Sequence, residues 1–240
     1  MPRPTFLLPL LLVTFAGCHS APDQPAAPTP VAEASVKPGI NDDFLDPTLD
    51  VGKYEQRFEG ESREVFAQRG RIAGLLDLRP GMAVADVGAG TGLYTMMFAP
   101  KVGAAGRVYG VDIAPKFVEH IRRTAAAKAL PQVQAQLCSE RSVELPAASV
   151  DLVFVCDTYH HFEYPMATLA SIHAALRHGG QLVILDFIRE PGQSREWILG
   201  HVRAGEAVVR QEVEAAGFTF VRREPTPFLR ENYLLRFQKP

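Results

Sequence analysis

The sequence predicts an α/β fold in which a mostly parallel, seven-stranded sheet carries helices on both faces. Three observations support this prediction. Short apolar runs alternate with helical stretches from about residue 80 to residue 216. A glycine-rich segment directly follows the first apolar run. The last two runs are joined only by a turn-like segment, which predicts an antiparallel C-terminal hairpin.

The first 17 residues predict a signal peptide, which is not part of the fold. Arg3 is the only charge before an almost wholly apolar run, Phe6–Gly17. The run is shorter than the roughly 20 residues of a membrane-spanning helix. A positive start, a short apolar stretch and small residues before a break are typical of an export signal. The ending Ala16-Gly17-Cys18 resembles the lipobox of bacterial lipoproteins, with Phe15 where that family usually has Leu. An ordinary signal peptide or apolar leader is the alternative.

The next segment, residues 18–50, predicts a disordered tether. It is rich in Pro and Ala and offers little apolar surface to offset the cost of ordering the chain. If the lipobox resemblance holds, the protein is an exported, membrane-anchored lipoprotein on the periplasmic side of a bacterial membrane. The lipid at Cys18 is then its only expected membrane contact. The folded domain is therefore predicted to comprise residues 51–240.

The folded part begins with a helical pattern at Ser62–Leu78, which Pro80-Gly81 ends. Strand-like runs and helical stretches then alternate, so right-handed crossovers are expected between parallel strands. The predicted strands are Ala83–Val87, Arg107–Val111, Val133–Leu137, Leu152–Cys156, Gln181–Phe187, Phe218–Arg222 and Tyr233–Gln238. The predicted helices are Leu93–Pro100, Pro115–Ala129, Pro165–Leu176 and Glu196–Ala216.

Composition limits the classes of partner. The chain has 240 residues, 47% of them hydrophobic, and a formal net charge of −2. It therefore lacks the basic surplus of a nucleic-acid-binding protein, and a small-molecule substrate fits better. No partner protein can be inferred. The three cysteines form neither a disulfide framework nor a metal-type spacing, and Cys138 and Cys156 are expected to be small buried residues.

The segment DVGAGTG, residues 86–92, lies between a predicted strand and a predicted helix. Such a glycine turn offers backbone N–H groups to a ligand at the carboxyl edge of a sheet. A dinucleotide site requires G-x-G-x-x-G, but Leu93 occupies the third glycine position and Gly92 comes one residue early. Asp86 would repel a pyrophosphate and attract an ammonium or a sulfonium. The loop therefore favours a nucleoside ligand other than a dinucleotide, with a purely structural turn as the alternative.

A second acidic residue ends the next strand. Asp112 follows Gly88 by 24 residues in the segment VYGVDIAP. At this position a carboxylate can accept hydrogen bonds from both hydroxyls of a ribose. A helix cap is the alternative, because Pro115 opens a predicted helix. The joint spacing of the two motifs favours a nucleoside site.

These motifs resemble those of the class I S-adenosylmethionine-dependent methyltransferases. The resemblance covers nearly all of residues 51–240 and includes VADVGAGTG, VYGVDIAP, LPAASVDLVFVCDTYHHF and LRHGGQLVILDF. It implies a Rossmann-like three-layer α/β/α sandwich and S-adenosyl-L-methionine as the cofactor. The cofactor-binding residues that it implies are Asp86, Gly88, Ala89, Gly90, Thr91, Gly92, Asp112, Ile113, Ser139, Glu140 and Asp157. Family members often have an Asp after the third strand for the adenine amino group, whereas this chain offers Ser139, Glu140 or main-chain groups.

The segment CDTYHHF, residues 156–162, leaves the fourth predicted strand at the ligand edge of the sheet. Asp157 and Tyr159 are expected to border the methionine end of the cofactor. His160 and His161 are candidates for a general base or for orienting the methyl acceptor, because a base is needed only when the acceptor must lose a proton. Packing in the core is the alternative for each histidine.

No metal site is expected, because the two histidines are adjacent and no nearby pair has a spacing of four residues. His201 and Arg203 belong to the long helical insertion before the last hairpin. In this fold such an insertion often covers the acceptor pocket, but a solvated helix face is the favoured interpretation of these two residues.

The resemblance thus implies an S-adenosylmethionine-dependent methyltransferase that acts on an unidentified small-molecule or envelope acceptor. A lipid-tethered, nucleoside-binding module of the same fold without catalysis is the alternative, since a cofactor made in the cytosol would have to reach an exported protein. A short-chain dehydrogenase is disfavoured. It would need the third glycine and a Tyr-x-x-x-Lys pair, and neither Tyr159 nor Tyr164 has Lys four residues later.

Overall fold

A single seven-stranded sheet forms the centre of the computed structural model, which describes residues 1, 33–60 and 63–240. Its strand order is β3-β2-β1-β4-β5-β7-β6. Strands β1 to β5 are parallel, and β7 pairs antiparallel with both β5 and β6. The strands are β1 (Ala83–Val87), β2 (Arg107–Asp112), β3 (Val133–Leu137), β4 (Val150–Cys156), β5 (Leu176–Phe187), β6 (Thr219–Arg223) and β7 (Asn232–Gln238). The predicted fold class is confirmed, including the antiparallel hairpin.

Helices cover both faces of the sheet. Successive residues of a strand point to opposite faces, and in β1 Val84 packs in the apolar cluster with α5, whereas Ala85 packs in the cluster with α7 and α9. All five residues of β1 are buried, as expected for a central parallel strand. The helices are α1 (Asp42–Leu45), α2 (Val51–Phe58), α3 (Glu64–Ala67), α4 (Arg69–Leu75), α5 (Leu93–Val102), α6 (Pro115–Ala127), α7 (Pro165–Ala175), α8 (Glu196–His201) and α9 (Glu206–Ala215).

Two predicted helices are divided in the structure. The helix expected at Ser62–Leu78 forms the separate helices α3 and α4, and Gln68 lies between them with φ −101° and ψ 11°. The helix expected at Glu196–Ala216 forms α8 and α9, because Val202 and Gly205 have extended backbones. Periodicity located the helical regions correctly, but it did not show the breaks within them.

The folded unit begins at Glu33, earlier than the predicted boundary at residue 51. The Glu33 carboxylate accepts hydrogen bonds from the first backbone N–H groups of α7, and Val36 N–H donates to the Glu163 carbonyl at 2.9 Å. Leu49 is buried in a cluster with Phe117 of α6. These apolar and capping contacts order residues 33–50, which were expected to belong to the tether.

Residues 2–17 of the predicted signal peptide, Cys18 and residues 19–32 of the predicted tether lie outside the described residues. Within the described residues, no helix has the length and apolar character needed to cross a bilayer.

Candidate active site

A cavity of about 720 Å³ opens at the carboxyl ends of β1, β2 and β4. This volume lies within the range of about 300–1,000 Å³ that is typical of small-molecule sites. The glycine loop and Asp112 form one side, and His160, His161 and His201 form another. Phe44, Tyr54 and Phe58, from the N-terminal segment, also line the cavity. The structure therefore brings the two groups of predicted site residues to one space.

The glycine loop requires glycine at the positions that approach other chain segments. Gly88, Gly90 and Gly92 have φ values of 71°, 53° and 83°, in the left-handed region. A Cβ atom at Gly88 would lie 2.1 Å from Thr158 Cγ2, and one at Gly92 would lie 2.9 Å from Ile121 Cγ1. Gly88, Ala89, Gly90 and Thr91 line the cavity. Because glycine has no side chain, the loop presents only backbone atoms at its glycines, where a nucleoside would approach the sheet.

Asp112 ends β2 and is bound to the glycine loop. Its Oδ2 accepts a hydrogen bond from Gly90 N–H at 2.7 Å, and its Oδ1 accepts one from Ala114 N–H at 2.8 Å. Burial raises its pKa to about 6, although these backbone N–H groups act in the opposite direction. Asp112 and Ile113 both line the cavity. Each carboxylate oxygen has a second lone pair, so Asp112 can shape the loop and still accept a hydrogen bond from a ligand.

Asp86 connects the strand before the loop to the helix after it. Its Oδ2 accepts a hydrogen bond from the Thr95 hydroxyl at 2.7 Å. Burial raises the pKa of Asp86 to about 7, and the nearby Asp112 adds to this effect. The residue lines the cavity although it is only 3% exposed. Asp86 therefore has a clear structural role in addition to its predicted place near the cofactor.

Asp157 directly follows β4 in a left-handed conformation, with φ 48°. Its Oδ2 accepts a hydrogen bond from Arg63 Nη2 at 2.5 Å, and its Oδ1 accepts one from Asn232 Nδ2 at 2.6 Å. Burial raises its pKa to about 6, and the Arg63 guanidinium opposes that shift. Asp157 lines the cavity, but it is held by residues from two other elements.

His160 and His161 lie in a 3-10 turn, Tyr159–His161, after β4. His160 is buried, and its Nδ1 lies 2.7 Å from Oδ1 of Asp186 on β5. The Asp186 carboxylate also accepts hydrogen bonds from the backbone N–H groups of His160 and Phe187. A carboxylate oxygen accepts this hydrogen bond when Nδ1 carries the proton, and in a neutral imidazole that tautomer leaves the lone pair on Nε2.

His201 belongs to the same group of side chains. Its Nε2 lies 3.3 Å from His161 Nε2, and its ring is stacked on Trp197 with centroids 5.0 Å apart. Burial and, to a lesser degree, the neighbouring His160 lower the pKa of His161 to about 2 and that of His201 to about 4. The cations Lys37 and Arg57 also lower the pKa of His201.

The expectation that His201 and Arg203 form a solvated helix face is wrong. His201 lines the cavity. The Arg203 side chain is 9% exposed and forms two hydrogen bonds with Glu212, of 2.8 and 2.9 Å. The spacing argument against a metal site also did not anticipate this grouping. His201 lies 40 residues beyond His161 and reaches it only through the fold.

Comparison with known proteins shows what the chain is similar to. A family described as a methyltransferase domain matches residues 84–180. Nocamycin O-methyltransferase of Saccharothrix syringae is 33% identical over 152 residues, which are 63% of this chain and 54% of that protein. Aklanonic acid methyltransferase of a Streptomyces species is 31% identical over 120 residues, which are 50% of this chain and 54% of that protein. The chain thus spans about half the length of these curated relatives.

A solved structure has the same fold. A SAM-dependent methyltransferase from Aquifex aeolicus superposes with a TM-score of 0.69 and 22% identity, covering 80% of this chain and all of that one. Over residues 84–180 the chain is thus similar to methyltransferase domains, and its fold is that of a solved SAM-dependent methyltransferase. This similarity implies S-adenosylmethionine as the cofactor.

Ser139 and Glu140 line a smaller cavity of about 50 Å³. This cavity shares Gly88, Ile113 and Thr158 with the main cavity, so the two spaces adjoin. Ser139 N–H donates to the Ser142 carbonyl, and the Glu140 carbonyl accepts a hydrogen bond from the Thr168 hydroxyl. The predicted adenine region therefore lies beside the glycine loop.

The placement of Tyr159 corrects its predicted position beside the methionine end of the cofactor. Tyr159 is fully buried and is not among the described residues that line the main cavity. Its hydroxyl donates to Glu212 Oε2 at 2.7 Å, and the Arg203 guanidinium lies 5.4 Å from its ring centroid. The 3-10 turn directs His160 toward the cavity and places Tyr159 in the core with α9.

Sequence reasoning missed several residues that hold the site together. Glu59, after α2, accepts a hydrogen bond from the Thr91 hydroxyl at 2.6 Å. Arg63 and Asn232 hold Asp157. Asp186 could have been found, because it is an acidic residue near the carboxyl end of a predicted strand. Glu59 and Arg63 precede the recognised motifs, and no local pattern marks them.

Proposed function

We propose that this chain transfers the methyl group of S-adenosylmethionine to a small-molecule or envelope acceptor bound on the histidine side of the main cavity. The observation that carries the proposal is that the glycine loop with Asp112 and the cluster of His160, His161 and His201 border one cavity. In methyl transfer the nucleophile, the methyl carbon and the sulfur must be aligned. A shared cavity permits that alignment.

The charges in the cavity suit a cationic sulfonium cofactor. Asp86, Asp112 and Asp157 all line the cavity, and burial raises the pKa of each. A nearby positive charge would favour their ionised forms, and the carboxylates would in turn attract that charge. In this proposal Asp112 binds the ribose hydroxyls, and Asp86 and Asp157 lie at the methionine end of the cofactor.

The histidine side of the cavity suits an acceptor with an apolar or aromatic body and one reactive heteroatom. Phe44, Phe187 and Trp197 surround the histidine rings there. The relative from Saccharothrix is named an O-methyltransferase, which favours oxygen as the accepting atom. In the step itself an O–C bond forms, the C–S bond breaks and its electron pair stays on sulfur. The acceptor proton leaves to solvent or to an imidazole of the cluster.

The N-terminal segment of the folded unit would exclude water from this step. Phe44, Tyr54 and Phe58 line the cavity and pack on Phe117 of α6. Asn41 is buried and donates a hydrogen bond to the His161 carbonyl at 3.1 Å. A closed, apolar cover strengthens electrostatic interactions inside a site and prevents competing hydrolysis.

An experiment separates the enzyme from a binding module that lacks catalysis. Purified full-length chain is given S-adenosylmethionine with an isotopically labelled methyl group, together with small-molecule and envelope extracts. We expect cofactor binding by calorimetry and a labelled product by mass spectrometry. Cofactor binding without any labelled product in either extract would favour the binding module. The absence of cofactor binding would contradict both functions.

For location, we propose export and lipidation at Cys18. The support is the sequence pattern at residues 1–18, namely Arg3, the apolar run and the Ala-Gly-Cys ending. Export would separate the enzyme from cytosolic cofactor. The cofactor must then reach that compartment, or the protein must bind it before export.

A further inference from the structure

Three histidine rings from two distant parts of the chain meet in the main cavity. His160 and His161 follow β4, and His201 ends α8. One ring nitrogen from each lies within 4.8 Å of those of the other two. All three residues line the same cavity as the glycine loop. The cluster is therefore open to a small molecule bound beside the cofactor position.

The distances between the ring nitrogens suit the binding of one metal ion by several of the histidines. Zinc binds imidazole nitrogen at about 2.0–2.1 Å in tetrahedral geometry, which places two such nitrogens about 3.3–3.4 Å apart. The Nε2 atoms of His161 and His201 are 3.3 Å apart. A hydrogen bond between these two atoms would engage two rings, whereas a metal ion would engage all three. The other two separations lie within 4.8 Å, so the three ring nitrogens are close enough to share one ion.

Asp186 supplies the supporting contact that metal-binding histidines usually have. Its Oδ1 lies 2.7 Å from His160 Nδ1, and both side chains are 3% exposed. Nearly every histidine that binds a metal through one nitrogen donates the other N–H to a carboxylate, carbonyl or water. Two backbone N–H groups hold the Asp186 carboxylate in place, so the orientation of the His160 ring is fixed. The Nε2 atom of His160 is left for another partner.

We propose that His160, His161 and His201 bind a divalent transition metal ion of the zinc class through their Nε2 atoms. Three imidazole ligands favour such an ion over Mg²⁺ or Ca²⁺, which prefer oxygen. A tetrahedral ion with three protein ligands keeps a fourth position for an exogenous ligand. The three histidines all border the cavity, and this is the space from which the fourth ligand would come.

The use of the ion rests on the methyl transfer proposed above. Coordination of an acceptor hydroxyl lowers the pKa of its proton, as it does for zinc-bound water. The proton passes to solvent, and the coordinated oxygen attacks the methyl carbon of the sulfonium. An O–C bond forms, the C–S bond breaks and its electron pair remains on sulfur. The ion then orients and activates the acceptor, while Asp112 and the glycine loop hold the cofactor.

Metal titration tests the site without relying on activity. Full-length chain is treated with a chelator, dialysed and titrated with Zn²⁺ by calorimetry. We expect saturable binding that His201→Ala weakens by about 100-fold or more and that Asp186→Asn weakens by about 10–100-fold. His173→Ala is the matched control, because that ring packs on Phe218, outside the cluster. Equal Zn²⁺ affinity in His201→Ala and His173→Ala, or no binding by the unaltered chain, would overturn the proposal.

Cobalt spectroscopy identifies the ligands independently of the variants. We expect Co²⁺ bound to the unaltered chain to show the visible absorption of a tetrahedral ion with nitrogen ligands. A sulfur-to-cobalt charge-transfer band would show that a cysteine binds the ion and would overturn the assignment, even if a histidine variant fails to fold. Cofactor affinity is measured on the same samples. If the unaltered chain does not bind the cofactor, the proposed function is contradicted. If it binds the cofactor but no metal ion, only the metal site is contradicted.

Discussion

Gly88 and Thr158 approach each other so closely that no side chain fits at position 88. A Cβ atom there would lie 2.1 Å from Thr158 Cγ2, 2.5 Å from Oγ1 and 2.7 Å from Cβ. Gly88 follows β1, and Thr158 follows β4, its neighbour in the sheet. The Thr158 hydroxyl also lies 3.3 Å from the Gly88 carbonyl oxygen. This contact joins the cofactor side of the cavity to the turn that carries the histidines.

Gly88→Ala should therefore lower both stability and cofactor affinity. Its φ of 71° costs a non-glycine residue about 1–2 kcal/mol, and the steric overlap adds a further ~1–3 kcal/mol. Thermal unfolding and calorimetry with S-adenosylmethionine measure the two effects. Gly74→Ala on α4 is the control, because its Cβ meets no atom within 4 Å. It should stabilise the protein by up to about 1 kcal/mol.

A second substitution tests whether overlap with Thr158 causes the loss of stability in Gly88→Ala. Thr158→Gly removes all three atoms that a Cβ at position 88 would meet. Combined with Gly88→Ala, it should restore part of the lost stability. If the double variant is no more stable than the sum of the two single effects predicts, the steric explanation is wrong.

Asp112→Asn should weaken binding of S-adenosylmethionine by at least 10-fold. A charge-assisted hydrogen bond contributes about 1.5–3 kcal/mol, and about 1.4 kcal/mol corresponds to a factor of ten. The amide group also cannot accept on both sides, so the bond to Gly90 or Ala114 is disturbed. Calorimetry gives the affinity, and thermal unfolding shows how much of the change comes from the loop.

The control for this prediction is Asp151→Asn. Asp151 Oδ2 accepts a backbone hydrogen bond from Ala83 at 2.8 Å, at the amino end of β1. The two carboxylates thus both hold backbone N–H groups, but at opposite edges of the sheet. Asp151→Asn should leave cofactor affinity unchanged. An equal loss of affinity in both variants would indicate a general effect on the fold and contradict the ribose assignment.

The sheet and the cofactor loop could be predicted because their signals are local. A buried parallel strand is a continuous apolar run, and the Gly88–Gly92 turn needs glycine at positive φ values that few other residues adopt. The early start of the folded unit was harder to predict. Between Glu33 and Leu49 the ordering contacts are isolated residues whose partners, such as Glu163 and Phe117, lie far along the chain.

On the histidine side of the site, too, contacts between distant parts of the sequence could not be predicted. His160 and His161 could be assigned to the ligand edge because they follow a predicted strand. His201 could not, because the break between α8 and α9 leaves it at the end of a short helix that turns over the cavity. Its neighbours in sequence predicted an exposed helical face. The third member of the cluster is thus specified by tertiary packing.

Asp86 should make the ligand-free protein less stable as the pH rises. Burial raises its folded-state pKa to about 7, from about 3.9 in an unfolded chain. Between about pH 4 and 7 the folded state keeps a proton that the unfolded state has released. The free energy of unfolding therefore falls through this window, by at most about 1.4 kcal/mol per pH unit. Asp86→Asn removes this titration and retains an acceptor for the Thr95 hydroxyl.

Urea unfolding of both proteins at several pH values measures this effect. The stability of Asp86→Asn relative to the unaltered chain should increase from pH 4 to pH 7. Parallel stability profiles for the two proteins would show that the buried carboxyl does not titrate in this range and would contradict the prediction.

Tyr159→Phe should reduce stability without reducing catalysis. The hydroxyl donates to Glu212, which Arg203 also holds, so its loss removes one hydrogen bond and leaves the ion pair. We expect destabilisation of about 0.5–1.5 kcal/mol by urea unfolding, with cofactor affinity and turnover unchanged. Reduced turnover at unchanged stability would indicate that Tyr159 takes part in catalysis and would contradict this prediction.

Cys18→Ser should change the location of the protein if the lipobox prediction is correct. Cleavage before Cys18 and acylation would hold the chain on a membrane, because each buried CH₂ group contributes about 0.8 kcal/mol and stable attachment takes more than one lipid chain or signal. The unaltered protein should sediment with membranes, and Cys18→Ser should shift toward soluble or unprocessed forms. Cys138→Ser is the control, because Cys138 belongs to the folded domain next to β3, and it should fractionate like the unaltered protein. Mass spectrometry of the N-terminus decides between processing and retention. Unaltered protein found in the cytosol with Met1 intact would contradict export, and the cofactor would then be supplied in the compartment where it is made.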